Sequence, residues 1–102
     1  MQISVIGINH KTAPIEIRER FYLTRIQQEL LISELKQHPN VCEAFALSTC
    51  NRTEIYLHTL NALEPKFIVE LLTDIKSLEN QESLEKYFIY ILIKELSNIY
   101  LE

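Results

Sequence analysis

The residues best equipped for chemistry lie together in Leu47-Ser48-Thr49-Cys50-Asn51-Arg52-Thr53-Glu54-Ile55-Tyr56. A thiol, Cys50, sits there between two strand-like runs, with hydroxyls before it and a guanidinium two positions after it. The thiolate is the reactive form of cysteine, and nearby positive charge lowers its pKa from a free value of about 8.5. Arg52 stays charged at any working pH and can grip a carboxylate with two parallel hydrogen bonds. Such a sulfur would attack an acyl carbon, expel an alcohol or amine, and leave a thioester. Ser48, Thr49 and Asn51 can orient a polar substrate, while Arg52 can hold an acidic one. None of the three histidines adjoins Cys50 in sequence, although His10 or His58 can approach it in space. On these residues alone, a structural cysteine and a redox sensor stay open beside the nucleophile.

The elements that must position this stretch are readable from periodicity. Gln2 to Ile8 is β-branched and alternating, a first strand. Asn9 to Pro14 ends it, and Pro14 opens a short helical turn over Ile15-Glu16-Ile17-Arg18-Glu19-Arg20. His10 and Lys11 then fall in a loop at the strand's end, a common place for binding residues, and are candidates to line a pocket. Thr24 and Gln27 form a capping box for a helix from about Arg25 to Gln37, with Ile26, Leu30, Leu31 and Leu35 as its apolar stripe. His38 is read as a partner of that helix's C-terminal dipole.

Val41 to Thr49 is a second strand with both faces covered, which makes Cys42 a small buried hydrophobe. Arg52 to Thr59 is a third, with Thr53, Ile55 and Leu57 on one face and Arg52, Glu54, Tyr56 and His58 on the other. Cys50 and Asn51 sit near the turn between these two strands. Pro65 starts another helix, striped by Phe67, Ile68, Leu71, Leu72 and Ile75. Ser77 to Ser83 is polar and expected at the surface. The last segment is ambiguous: Leu84, Tyr87, Phe88, Ile91, Leu92, Leu96 and Ile99 fit a helix, while Tyr87 to Ile93 fits a buried strand. β-branched and aromatic enrichment favours a strand followed by a short helix. The order describes an α+β fold, a split βαβ (ferredoxin-like) sandwich with a mostly antiparallel sheet and helices on one face.

Composition narrows the function classes. A chain of 102 residues holds one domain, 1–102, and its single glycine leaves no GxGxxG phosphate loop. No apolar run approaches the roughly 20 residues that span a bilayer, and the N-terminus lacks a secretory signal, so the expected location is cytoplasmic. Two cysteines are too few for a disulfide framework and too far apart for CxxC, and both are expected reduced. No metal site is expected. The net charge of −4 opposes nucleic-acid binding by bulk charge. His10, Lys11, Arg18, Arg20 and Arg25 nevertheless gather in the first quarter, where a polyanion would dock if it docks at all.

Gly7-Ile8-Asn9-His10-Lys11-Thr12-Ala13-Pro14, then Arg18-Glu19-Arg20, then Leu47 to Tyr56, resembles the N-terminal catalytic domain of glutamyl-tRNA reductase. The likeness lies within the first 56 residues. It implies the first committed step of tetrapyrrole (porphyrin and heme) synthesis. In that family the cysteine matching Cys50 attacks the aminoacyl ester of glutamyl-tRNA, and NADPH reduces the resulting thioester to glutamate-1-semialdehyde. Positions matching Thr49, Asn51 and Arg52 contribute to substrate binding, and His10 and Lys11 would line the same pocket. The resemblance further implies glutamate-1-semialdehyde aminomutase as a partner and a homodimer formed through another domain.

The family's NADPH-binding and dimerisation domains have no counterpart in these 102 residues. A family histidine shortly before a Gly-Leu-Asp-Ser segment has none either, the corresponding region reading Ser97-Asn98-Ile99-Tyr100. The expectation is a substrate-binding, thioester-forming part that does not complete the reduction alone. The alternative is a non-catalytic binding or regulatory module that keeps the fold.

Overall fold

The computed structural model describes residues 1–78 and 82–95. Strand β1 (Gln2–Ile8) is followed by helices α1 (Ile15–Arg20) and α2 (Arg25–Lys36). A hairpin of β2 (Val41–Ser48) and β3 (Thr53–Thr59) comes next, then helix α3 (Pro65–Ile75). A 3-10 turn over Glu82–Tyr87 leads into β4 (Ile89–Glu95). The sheet order is β2-β3-β1-β4, and each neighbouring pair is antiparallel. The crossover from β1 to β2 leaves a gap that β3 fills, which is the split βαβ arrangement read from the sequence.

One face of the sheet carries the core. Ser4, Ile6 and Ile8 of β1 and Thr53, Ile55, Leu57 and Thr59 of β3 are buried there. Leu31 and Leu35 of α2 and Ile68, Val69 and Leu72 of α3 cover them. Each such aliphatic side chain contributes about 1.5–3 kcal/mol by leaving water. Phe21 and Leu23, in the link between α1 and α2, are fully buried as well, and Phe21 meets the Phe88 ring edge-to-face at 5.0 Å.

The predicted helix starts are the observed ones. Thr24 Oγ1 accepts from the Gln27 amide at 3.2 Å while Gln27 Oε1 accepts from the Thr24 amide at 3.0 Å, a complete capping box. Pro65 occupies the first turn of α3. That helix closes with Ser77 at φ 54°, where Ser77 N–H bonds the Asp74 carbonyl and Leu78 N–H the Thr73 carbonyl. The pair of bonds caps the last turn in the left-handed manner usually given to glycine.

Four expectations need correction. Cys42 is exposed, because the register of β2 against β3 shifts between Val41 and Glu43 and the extra residue turns its side chain away from the core. The β2 strand has only one covered face, since Phe45 is 59% exposed while Ala44 and Ala46 pack toward the helices. On α2, Ile26 is 77% exposed and Leu30 is also exposed, because the Leu31–Leu35 pair lies about 100° round the helix and takes the sheet-facing position. His38 is tied into the turn beyond α2 rather than set against the helix end: its Nδ1 accepts from the Asn40 amide at 3.0 Å.

The last strand among the described residues begins at Ile89 rather than Tyr87, and most of its residues are exposed rather than buried. The short helix expected after it lies outside the described residues.

Candidate active site

Cys50 stands at the tip of the β2–β3 hairpin, and the tip is built by its neighbours. The Thr49 amide donates to the Arg52 carbonyl at 2.8 Å, closing a loop with Cys50 and Asn51 at its apex. Thr49 Oγ1 accepts from the amides of Asn51 at 3.2 Å and Arg52 at 3.3 Å, which fixes the turn from within. Those two amides are therefore engaged and do not serve as donors to a bound oxyanion. The thiol of Cys50 is exposed.

The base of the hairpin is tied to the link between α1 and α2. Ser48 Oγ accepts from the Leu23 amide at 2.9 Å and lies 2.8 Å from Thr53 Oγ1, which donates to the Phe21 carbonyl at 3.1 Å. Residues on either side of Tyr22 are thus fastened to residues on either side of the hairpin tip. A second constraint acts at the sheet: a Cβ on Gly7 would collide with the Thr53 carbonyl oxygen and stand 3.0 Å from the Glu54 Cα. Glycine at this place lets β1 approach the first residues of β3 closely.

The loop after β1 supplies the other wall. Asn9 Oδ1 accepts from the Lys11 amide at 2.8 Å, and Thr12 Oγ1 accepts from the Asn9 amide at 3.0 Å. This self-bonded turn leaves the side chains of His10 and Lys11 exposed. They face a hollow of about 480 Å³ lined also by Asn9, Thr49, Asn51, Arg52 and Glu54. Arg52 Nε pairs with Glu54 Oε1 at 3.6 Å, and the Tyr56 hydroxyl donates to the same oxygen at 3.1 Å. Burial first, and then the hydrogen bond and negative charge of Glu54, push the Tyr56 phenol above its ordinary pKa.

Cys50 opens onto a second hollow, of about 450 Å³, with Glu19, Tyr22, Ser48 and Thr49. Thr49 is common to both, so the two concavities meet beside the tip. Five of the sequence-derived candidates, His10, Lys11, Thr49, Asn51 and Arg52, line one hollow, and Cys50 lines the adjoining one with Thr49. Arg52 lines the first hollow, where its Nε pairs with Glu54, and the hollow of Cys50 is lined by other residues. Sequence reasoning missed Glu19, Tyr22 and the pocket role of Glu54. The signal for Tyr22 was the run Phe21-Tyr22-Leu23, where alternate burial of the outer two sends the middle one outward. Among the described residues no group of three His, Cys, Asp or Glu side chains could hold a metal ion, and no helix is long and apolar enough to cross a membrane.

A family model described as glutamyl-tRNAGlu reductase, N-terminal domain, matches residues 6–97. The glutamyl-tRNA reductase of Chlorobium limicola is 38% identical over 89 residues, covering 86% of this chain and 21% of that protein. That of Trichormus variabilis is 49% identical over 57 residues, covering 56% of this chain and 13% of the relative. The glutamyl-tRNA reductase of Chlorobaculum parvum is likewise 49% identical over 57 residues, with the same coverage of 56% and 13%. The chain thus spans about a fifth of the length of the first of these relatives. It belongs to the family of glutamyl-tRNA reductase N-terminal domains.

Proposed function

We propose that this chain is the part of a glutamyl-tRNA reductase that receives glutamyl-tRNA and forms a thioester with it on Cys50. The observation that carries the reading is an exposed thiol at a braced hairpin tip, next to a hollow lined by Arg52, Lys11 and His10. The glutamyl side-chain carboxylate suits that hollow, where the Arg52 fork offers paired donors and Lys11 a second positive charge. Asn51 and the Thr49 edge flank the reacting ester. Glu54 keeps Arg52 facing the hollow and presents an acceptor for the substrate's ammonium group.

In the reaction the Cys50 sulfur, having lost its proton, bonds to the ester carbonyl carbon. The carbon–oxygen bond to the ribose then breaks, and the tRNA leaves as its alcohol after taking up a proton. The product is a glutamyl thioester, whose carbonyl is less resonance-stabilised than that of an oxygen ester and accepts hydride more readily. The family's reductant is NADPH, but the residues here do not fit a dinucleotide. The sole glycine, Gly7, lies within β1, paired with Glu54 of β3, and forms no strand-to-helix phosphate turn. No reducing step is assigned to these residues. The cytoplasmic location, the aminomutase partner and the homodimer belong to the same proposal.

The test is direct. Incubation with glutamyl-tRNA, followed by acid quench and mass spectrometry, is expected to show one glutamyl adduct on the Cys50 peptide and none in Cys50→Ser. No adduct at saturating substrate defeats the reading.

A further inference from the structure

We propose that Tyr22 is a stacking platform for the 3′-terminal adenine of the acylated RNA, an inference that rests on the acyl-transfer reading above. Tyr22 is 43% exposed although both its neighbours, Phe21 and Leu23, are completely buried. A chain link anchored on either side by buried apolar groups has no freedom to turn the ring inward. The anchoring is also polar, since Thr53 Oγ1 holds the Phe21 carbonyl and Ser48 Oγ holds the Leu23 amide. The aromatic ring is therefore presented at a position set by the hairpin that carries Cys50. It lines the same hollow as the thiol.

The chemistry of the ester says what must lie there. The acyl group is carried on the ribose of the terminal adenosine, so when the sulfur reaches the carbonyl carbon, the adenine is one sugar away from it. The acyl chain has a place in the hollow of Arg52, Lys11 and His10, on one side of Thr49. The nucleotide is left with the other side. The hollow on that side has Glu19 as its one charged lining residue, which makes it a poor seat for phosphate or carboxylate. An exposed aromatic face is instead suited to a base, because every base offers a π-face to stack on. The Glu19 carboxylate adds an acceptor for the exocyclic amino group that adenine carries. In this way one hairpin tip separates a charge-selective acyl side from an aromatic side on which a base can stack.

The experiment measures binding with the thiol silenced. The chain bearing Cys50→Ser is titrated with uncharged tRNA that ends in its terminal adenosine, and with the same tRNA lacking that nucleotide. Intact tRNA is expected to bind about 5- to 150-fold more tightly. Adding Tyr22→Ala removes that preference, and Tyr22→Phe, which keeps the ring, retains it. An equal preference in the Tyr22→Ala chain overturns the proposal, as does the absence of any preference in the Cys50→Ser parent. The two readings fail separately. A chain that prefers the intact end but forms no adduct on Cys50 loses the thioester chemistry and keeps the platform. A chain that acylates without such a preference loses the platform alone.

Discussion

Ser48 Oγ and Thr53 Oγ1, 2.8 Å apart across the hairpin base, form the middle of a one-way hydrogen-bond relay. Each hydroxyl has a single proton. Thr53 spends its own on the Phe21 carbonyl, so Ser48 is the donor between the two, and Ser48 in turn accepts from the Leu23 amide. Cutting the relay leaves buried partners unsatisfied. Ser48→Ala and Thr53→Val are each expected to lower stability by about 1–3 kcal/mol in denaturant unfolding. The double mutant should lose less than the sum, with a coupling of at least about 0.5 kcal/mol. Strict additivity would mean the two hydroxyls act independently.

Gly7→Ala tests the close approach of β1 and β3. The added methyl meets the Thr53 carbonyl and the Glu54 Cα, both backbone atoms that cannot swing aside. A loss of about 1–3 kcal/mol is expected. Because the displaced segment leads straight to the hairpin tip, the proposed acylation of Cys50 should slow even at temperatures where the variant stays folded. A variant as stable and as fast as the parent would show that the strands part without penalty.

The Tyr56 phenol gives a pH signature. Its folded pKa is raised, by burial and by Glu54, so the folded chain holds this proton more tightly than the unfolded chain does. The associated stability is fully present below the unfolded tyrosine value near 10 and is lost as pH rises through the folded value. Glu54→Gln removes the charge but not the burial. An NMR titration of the Tyr56 ring should therefore move part of the way back toward the ordinary value. An unchanged titration would rule out Glu54 as a cause.

Ser77→Gly should stabilise the chain. A serine at φ 54° carries the steric penalty of the left-handed region, from which glycine is free. After the extra freedom glycine gives the unfolded chain, a gain of about 0.5–1 kcal/mol is expected in thermal or denaturant unfolding. Ser77→Val, β-branched at the same position, should do the opposite.

The two faces of β3 were legible in the sequence, because one is fully covered and the other is not. The alternation of Thr53, Ile55 and Leu57 against Glu54, Tyr56 and His58 survives intact in β3 for that reason. The capping box at Thr24 was equally legible, because its partners are three residues apart and need nothing from the rest of the fold. Cys42 was misread because a bulge changes facing without leaving a mark on hydrophobic periodicity. The Ile26–Leu30 pair was misread because two apolar rows on α2 compete for one sheet, and geometry outside the helix chooses between them. At the site, the residues local to the hairpin and the His10–Lys11 loop were found. Glu19 and Tyr22 were not, since they reach the tip from another element through contacts that spacing does not encode.

The bulge that turns Cys42 outward furnishes the chain with a built-in reference thiol. Both cysteines meet solvent, but only Cys50 adjoins the hollows. A reagent that reports bare accessibility will tag both sulfurs, whereas under the proposed acyl-transfer reading a glutamyl ester will single out the tip. The ratio of labels within one molecule thus calibrates itself against concentration, handling and partial denaturation. Storage without reductant erodes that advantage, because a pair of surface sulfurs invites cross-linking between neighbouring molecules.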